Sequence, residues 1–66
     1  MKVKNQDVFD AIKEVMQGRR WITQDELKTK IHLKGITSKQ LNNTLNFYVK
    51  NNVLIIDEEK GIISIS

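Results

Sequence analysis

Gly35-Ile36-Thr37-Ser38-Lys39-Gln40-Leu41-Asn42-Asn43-Thr44-Leu45-Asn46-Phe47-Tyr48-Val49-Lys50 is the stretch whose reading decides the fold. It reads as a tight turn followed by a helix with two unlike faces. Residues three and four apart share one side of a helix. Leu41, Leu45, Tyr48 and Asn52 therefore line up on a side that can bury, with Thr44 and Val49 at its edges. Lys39, Asn42, Asn43, Asn46 and Lys50 fall on the opposite side, which carries amides and ammonium groups and no acid. Asn is a poor helix former, costing about 0.5 kcal/mol relative to Ala at each position. A surface chosen for stability alone would use Glu, Lys or Ala instead. Amides pair with base edges and ammonium groups with phosphates, so the face suits a nucleic acid. An ordinary solvated helix face is the competing reading.

Working outward, Thr37 or Ser38 caps this helix, and Thr37 with Gln40 has capping-box spacing. Gly35 turns the chain, and Ile36 is expected to plug the space between two helices. Before the turn, Thr23-Gln24-Asp25-Glu26 has the capping-box form again, opening a helix to about Leu33 with Leu27 and Ile31 inward. Lys28 and Lys30 flank that stripe. Arg19-Arg20-Trp21-Ile22 precedes it, short and β-prone, able to bond to a later strand. Trp21 is expected to cover the edge of the core. Arg19 and Arg20 are either phosphate-binding forks or charges complementing the end of the preceding helix.

The first helix spans about Gln6 to Gln17, with Val8, Ala11, Ile12, Val15 and Met16 as its stripe, widened by Phe9. Asn5 is the expected N-cap and Gly18 the stop. After the decisive helix, Asn51 or Asn52 supplies its end. Val53-Leu54-Ile55-Ile56 and Ile62-Ile63-Ser64-Ile65-Ser66 then read as two strands around the turn Asp57-Glu58-Glu59-Lys60-Gly61. The alternation of Ile63 and Ile65 with Ser64 and Ser66 predicts one dry and one wet face.

Composition narrows the function classes. Sixty-six residues make one domain near the lower size limit for folding without staples. There is no Cys, hence neither disulfide nor thiolate metal site. No long apolar run spans a membrane, and Met1-Lys2-Val3-Lys4-Asn5 does not open an apolar leader, so a cytoplasmic protein is the expectation. The net charge of +3 is unevenly spread. From Leu27 to Ile56 there is no Asp or Glu, yet Lys28, Lys30, Lys34, Lys39 and Lys50 lie there, an electrostatic footprint of nucleic-acid binding or a lysine-rich solvated surface. No enzyme is expected. His32 is the one His and lacks an evident catalytic partner. Asp57, Glu58 and Glu59 read as a solvated turn rather than a cation site, no phosphate-cradling loop is present, and no cofactor is implied.

The order helix, short strand, helix, turn, helix, hairpin resembles the winged-helix (winged helix-turn-helix) family of DNA-binding domains. Thr23-Gln24-Asp25-Glu26-Leu27 opens the second helix, Gly35-Ile36-Thr37-Ser38 is the turn, Leu41 and Leu45 anchor the third helix, and Asn52-Val53-Leu54-Ile55 leads into the wing. The fold expected is α+β, a three-helix helix-turn-helix core with a C-terminal β-hairpin wing, in the order α-β-α-α-β-β. The resemblance implies that helix 3 enters the major groove of duplex DNA, with Lys39, Gln40, Asn42, Asn43 and Asn46 as base and phosphate contacts. Arg19, Arg20, Lys28, Thr37, Ser38 and Lys50 complete the candidate DNA-binding set. Asn46 stands where the winged helices that bind left-handed duplexes carry Tyr, and the wing lacks their Pro and Trp, so that specialised use is not expected.

Two functions follow as expectations. One is a small DNA-binding protein, a transcriptional regulator or a replication or recombination accessory. The other is a protein-interaction module, a homodimer or a complex with another protein through the Ile-rich hairpin, whose Val53, Ile55 and Ile62 do not all have core places. The acidic hairpin tip favours the second, because phosphates repel it.

Overall fold

The computed structural model describes residues 4–66; Met1-Lys2-Val3, the start of the stretch read as leader-free, lies outside the described residues. The fold is α+β, with the elements α1 (Asn5–Met16), β1 (Trp21–Thr23), α2 (Gln24–Leu33), α3 (Ser38–Lys50), β2 (Leu54–Asp57) and β3 (Ile62–Ile65). The order α-β-α-α-β-β is the expected one. The strands form one antiparallel sheet in the order β1-β3-β2, so the first short strand joins the C-terminal hairpin. All three helices pack on one face of it. Val8, Ile12 and Met16 of α1, Leu27 and Ile31 of α2, and Leu41 and Leu45 of α3 meet Ile22, Leu54 and Ile63 of the sheet in one buried cluster. Each such aliphatic side chain contributes about 1.5–3 kcal/mol on leaving water.

Two helix ends set the geometry, and both use the same device. After α2, Gly35 takes φ +86°; its N–H bonds to the His32 carbonyl at 3.0 Å, and the Ile36 N–H bonds to the Ile31 carbonyl at 3.4 Å. After α3, Asn52 takes φ +62°; its N–H bonds to the Val49 carbonyl at 3.1 Å, and the Val53 N–H bonds to the Tyr48 carbonyl at 2.9 Å. Each is a Schellman closure around a left-handed residue. The first buries Ile36 against the core, as the sequence predicts, and aims the chain into α3. The second turns the chain into β2.

Several expectations change. Asn5 is the first residue of α1 and not its cap. Asp7 accepts from the Lys4 N–H at 3.4 Å instead, and the Asn5 side-chain oxygen accepts from the Thr44 hydroxyl at 3.0 Å, tying α1 to α3. Thr44 is thus not an edge residue but fully buried, its hydroxyl satisfied across the helix pair. The helix ends one residue earlier than expected, since Gln17 (φ +51°) already enters the left-handed region before Gly18. Asn52 lies beyond the end of α3 and is exposed, so it does not belong to the buried face.

Trp21 does not cover the core; it is 49 % exposed. In a strand, neighbours point to opposite faces, and Ile22, paired with Ile63, takes the inner position. Ile65 is likewise more exposed than a dry strand face requires, because it lies at the end of the sheet. At α2, Thr23 caps as expected, its hydroxyl accepting from the Glu26 N–H at 3.2 Å. The Glu26 carboxylate does not reach back to close the box but accepts from Arg19 at 2.9 Å, a charge-assisted bond that outcompetes a neutral one.

Candidate nucleic-acid interface

Lys39, Asn43, Asn46 and Lys50 follow one another at spacings of four, three and four, so they form a single exposed line along α3, with Asn42 beside it. The line is held rigidly. Its inner side is nailed down by Leu41, Thr44 and Leu45. Its start is closed by a reciprocal box: the Thr37 hydroxyl accepts from the Gln40 N–H at 3.2 Å and the Gln40 side-chain oxygen accepts from the Thr37 N–H at 2.9 Å. Two candidate contact residues are therefore engaged in building the helix. Thr37 is spent as the cap, and half-buried Gln40 offers a ligand only its NH2 group. Ser38, exposed in the first turn, retains its hydroxyl.

One flank of this line is a groove between α2, α3 and the hairpin, lined by Gln24, Lys28, Asn42, Asn46, Ile56 and Glu58. Lys28 also borders the adjoining cleft toward Ser38. The fold thus brings Lys28 to the amides of α3, a placement that the sequence proposes only from charge. It also brings in Glu58, so the acid of the hairpin tip faces the candidate interface. The other flank carries Phe47, 48 % exposed, its ring packed edge-on against Tyr48 with centroids 5.2 Å apart. Tyr48 in turn stacks on Phe9 of α1 at 4.2 Å. Phe47 and Gln24 are missed by the sequence reading. The available signal for Phe47 was its place one turn after Asn43, off the apolar stripe.

Four of the cations are paired with carboxylates. Lys13 pairs with Asp10 at 3.9 Å, Arg19 with Glu26 at 2.9 Å, Lys30 with Glu26 at 3.7 Å, and Lys34 with Glu14 at 3.2 Å. All four pairs lie on the α1 side of the molecule. The Arg19 guanidinium, through its hydrogen bond, holds the Glu26 carboxyl below its ordinary value, with help from Lys30. Lys28, Lys39 and Lys50 have no carboxylate within ion-pair distance among the described residues. Two lysines of the acid-free block, Lys30 and Lys34, are therefore neutralised by acids from outside it, and three are not.

Arg19 and Arg20 are not brought to this surface. They line a separate cleft with Lys13, Met16, Ile65 and Ser66, between the end of α1 and the end of β3. Arg19 also lies over the Trp21 ring, 5.7 Å from its centroid. Among the described residues, no three His, Cys, Asp or Glu side chains gather as a metal site would require, and no helix is long and apolar enough to cross a membrane. The sequence matches no protein-family model and no curated protein.

Proposed function

We propose that this chain is a duplex-DNA-binding domain of the winged-helix type, with α3 as the helix that enters the major groove. The observation that carries the reading is the division of charge. Lys13, Lys30 and Lys34 are paired with carboxylates of the molecule, whereas Lys28, Lys39 and Lys50, around Asn42, Asn43 and Asn46, have none within ion-pair distance among the described residues. A helix is the element that fits a major groove, and Asn bonds adenine there in bidentate fashion. In this reading Lys39, Lys50 and Lys28 hold phosphates, Asn42, Asn43 and Asn46 meet base edges, and Ser38 bonds a phosphate near the start of α3, where the helix dipole favours an anion. The hairpin supports α3 and keeps Glu58 at the margin, so its tip does not grip the backbone.

The experiment is a salt titration of binding to a short duplex, run beside a single strand of the same sequence. Three neutralised phosphates give a log–log slope of about −2.7 on the duplex. Asn43→Ala weakens the duplex complex without changing that slope, because it removes a base contact and no charge. Absence of duplex binding at low salt, or equal affinity for the single strand, would sink the proposal.

A further inference from the structure

We propose that Phe47 reads the methyl group of thymine, so that the α3 surface takes A·T pairs in preference to G·C pairs. The inference rests on the reading of α3 as a major-groove helix and names the base pairs that the helix selects. Among the described residues the fold leaves five large apolar side chains exposed, and Phe47 is the one that belongs to α3. Asn43, Phe47 and Lys50 follow one another at spacings of four and three, so the ring stands between an exposed amide and an exposed ammonium group.

The ring is also held in place. Tyr48 stacks on Phe9 with centroids 4.2 Å apart, and Phe47 meets Tyr48 edge-on at an interplanar angle of 88°. The Phe47 carbonyl accepts from the Asn51 backbone N–H at 3.2 Å and from the Asn51 side-chain Nδ2 at 2.7 Å, which fastens the last turn of α3. A side chain already fixed by its neighbours loses little freedom when it meets a partner.

The chemistry of the groove supplies that partner. The thymine C5-methyl is the one alkyl group among the major-groove edges, and the adenine paired with it shows N7 and N6 to the same groove. Residues four apart on a helix have Cβ atoms about 5–6 Å apart. Asn43 and Phe47 therefore set a carboxamide that bonds adenine beside a ring that covers a methyl. A G·C pair offers the ring no alkyl group and places the cytosine amino donor in the groove, which loses its water against a ring that cannot accept its hydrogen bond. Single-strand sites are built from several rings on which successive bases stack. Phe47 is the one exposed ring of α3, and its surroundings are amides and lysines.

Anisotropy titrations of the full chain at low salt test this with three short duplexes of equal length. One has mixed A·T sequence, one is the same duplex with every thymine replaced by uracil, and one is of G·C sequence. The A·T duplex binds about tenfold tighter than the G·C duplex. Uracil removes the methyl and keeps the pairing and the phosphates; it weakens binding about fourfold, the scale of one buried methyl. Phe47→Ala makes the thymine and uracil duplexes equal and leaves the salt slope unchanged, whereas Phe47→Leu keeps the preference for thymine. Phe47 lies outside the core cluster, so both variants fold, and the uracil comparison on the unaltered chain needs no variant. No binding to any duplex sinks the groove-helix reading and this inference with it. Duplex binding with equal affinity for thymine and uracil overturns this inference alone; an A·T preference of that kind belongs to the minor groove, where no methyl lies. A thymine preference that survives Phe47→Ala overturns it as well.

Discussion

The two flanks of α2 carry the same residue type in different company. On one flank Lys30 and Lys34 lie against Glu26 and Glu14, and Arg19 completes the set. On the other, Lys28 shares a groove with Asn42 and Asn46, and its one acidic neighbour is Glu58 across the groove. The first flank presents a weakened field, because Glu26 and Glu14 lie within a few ångströms of its three cations. The second presents an uncompensated one. What a lysine does for a partner depends on whether the fold has already given it an acid, and that is settled by packing between helices rather than by the count of lysines.

The largest effect expected from this contrast is a swap of which lysines are removed. Changing Lys28, Lys39 and Lys50 together to Ala lowers duplex affinity at low salt by about a hundredfold and flattens the salt slope by about 2.7. Changing Lys13, Lys30 and Lys34 together leaves both close to the original values. Duplex titrations of the two triple variants decide the matter, with thermal unfolding to show that both still fold. Equal losses in the two variants would mean that binding follows total charge and not the α3 surface.

A smaller effect comes from the acid on the proposed binding flank. Glu58→Gln removes one negative charge from the groove without changing its shape. Duplex affinity rises about twofold to threefold, the scale of one exposed charge. A fall in affinity would mean that Glu58 contributes a contact, for example as an acceptor from cytosine, and would reverse its assigned part.

Much of this architecture was legible in the residues themselves. Thr37 with Gln40, Gly35 and Ile36 mark the joint between α2 and α3 through local chemistry: a side chain that takes an orphan N–H, a residue free to enter the left-handed region, and an apolar plug. Local rules suffice because those partners lie within a few residues of one another. Trp21 was misplaced because the phase of a three-residue strand is not local. Pairing with β3, some forty residues on, chooses Ile22 for the inner face. The pairing of Lys34 with Glu14, and the separation of Arg19 and Arg20 from α3, follow likewise from how α1 packs on α2 and on the sheet. The candidate polar line on α3 needed only helical spacing. That its lysines have no ion-pair partner among the described residues, and that Glu58 lies across the groove from its asparagines, needed the fold.

The smallest effect lies on the paired flank and checks the contrast from the opposite side. Arg19 holds the Glu26 carboxyl below its ordinary value, so the folded state binds that proton less readily than the unfolded chain does. The stabilisation is therefore complete above the unfolded-state value and fades as pH falls through the lowered folded-state value. Both groups are exposed enough for water and salt to screen them, so the contribution is slight. Carboxyl titration by NMR should show the Glu26 midpoint rising toward an ordinary carboxyl in Arg19→Ala, with the other acids unmoved. Duplex affinity of the same variant should stay as it was, since Arg19 lines a cleft at the far end of α1 and already spends its charge on Glu26. A loss of affinity comparable to that of a lysine on α3 would place Arg19 at the interface and erase the distinction between the flanks.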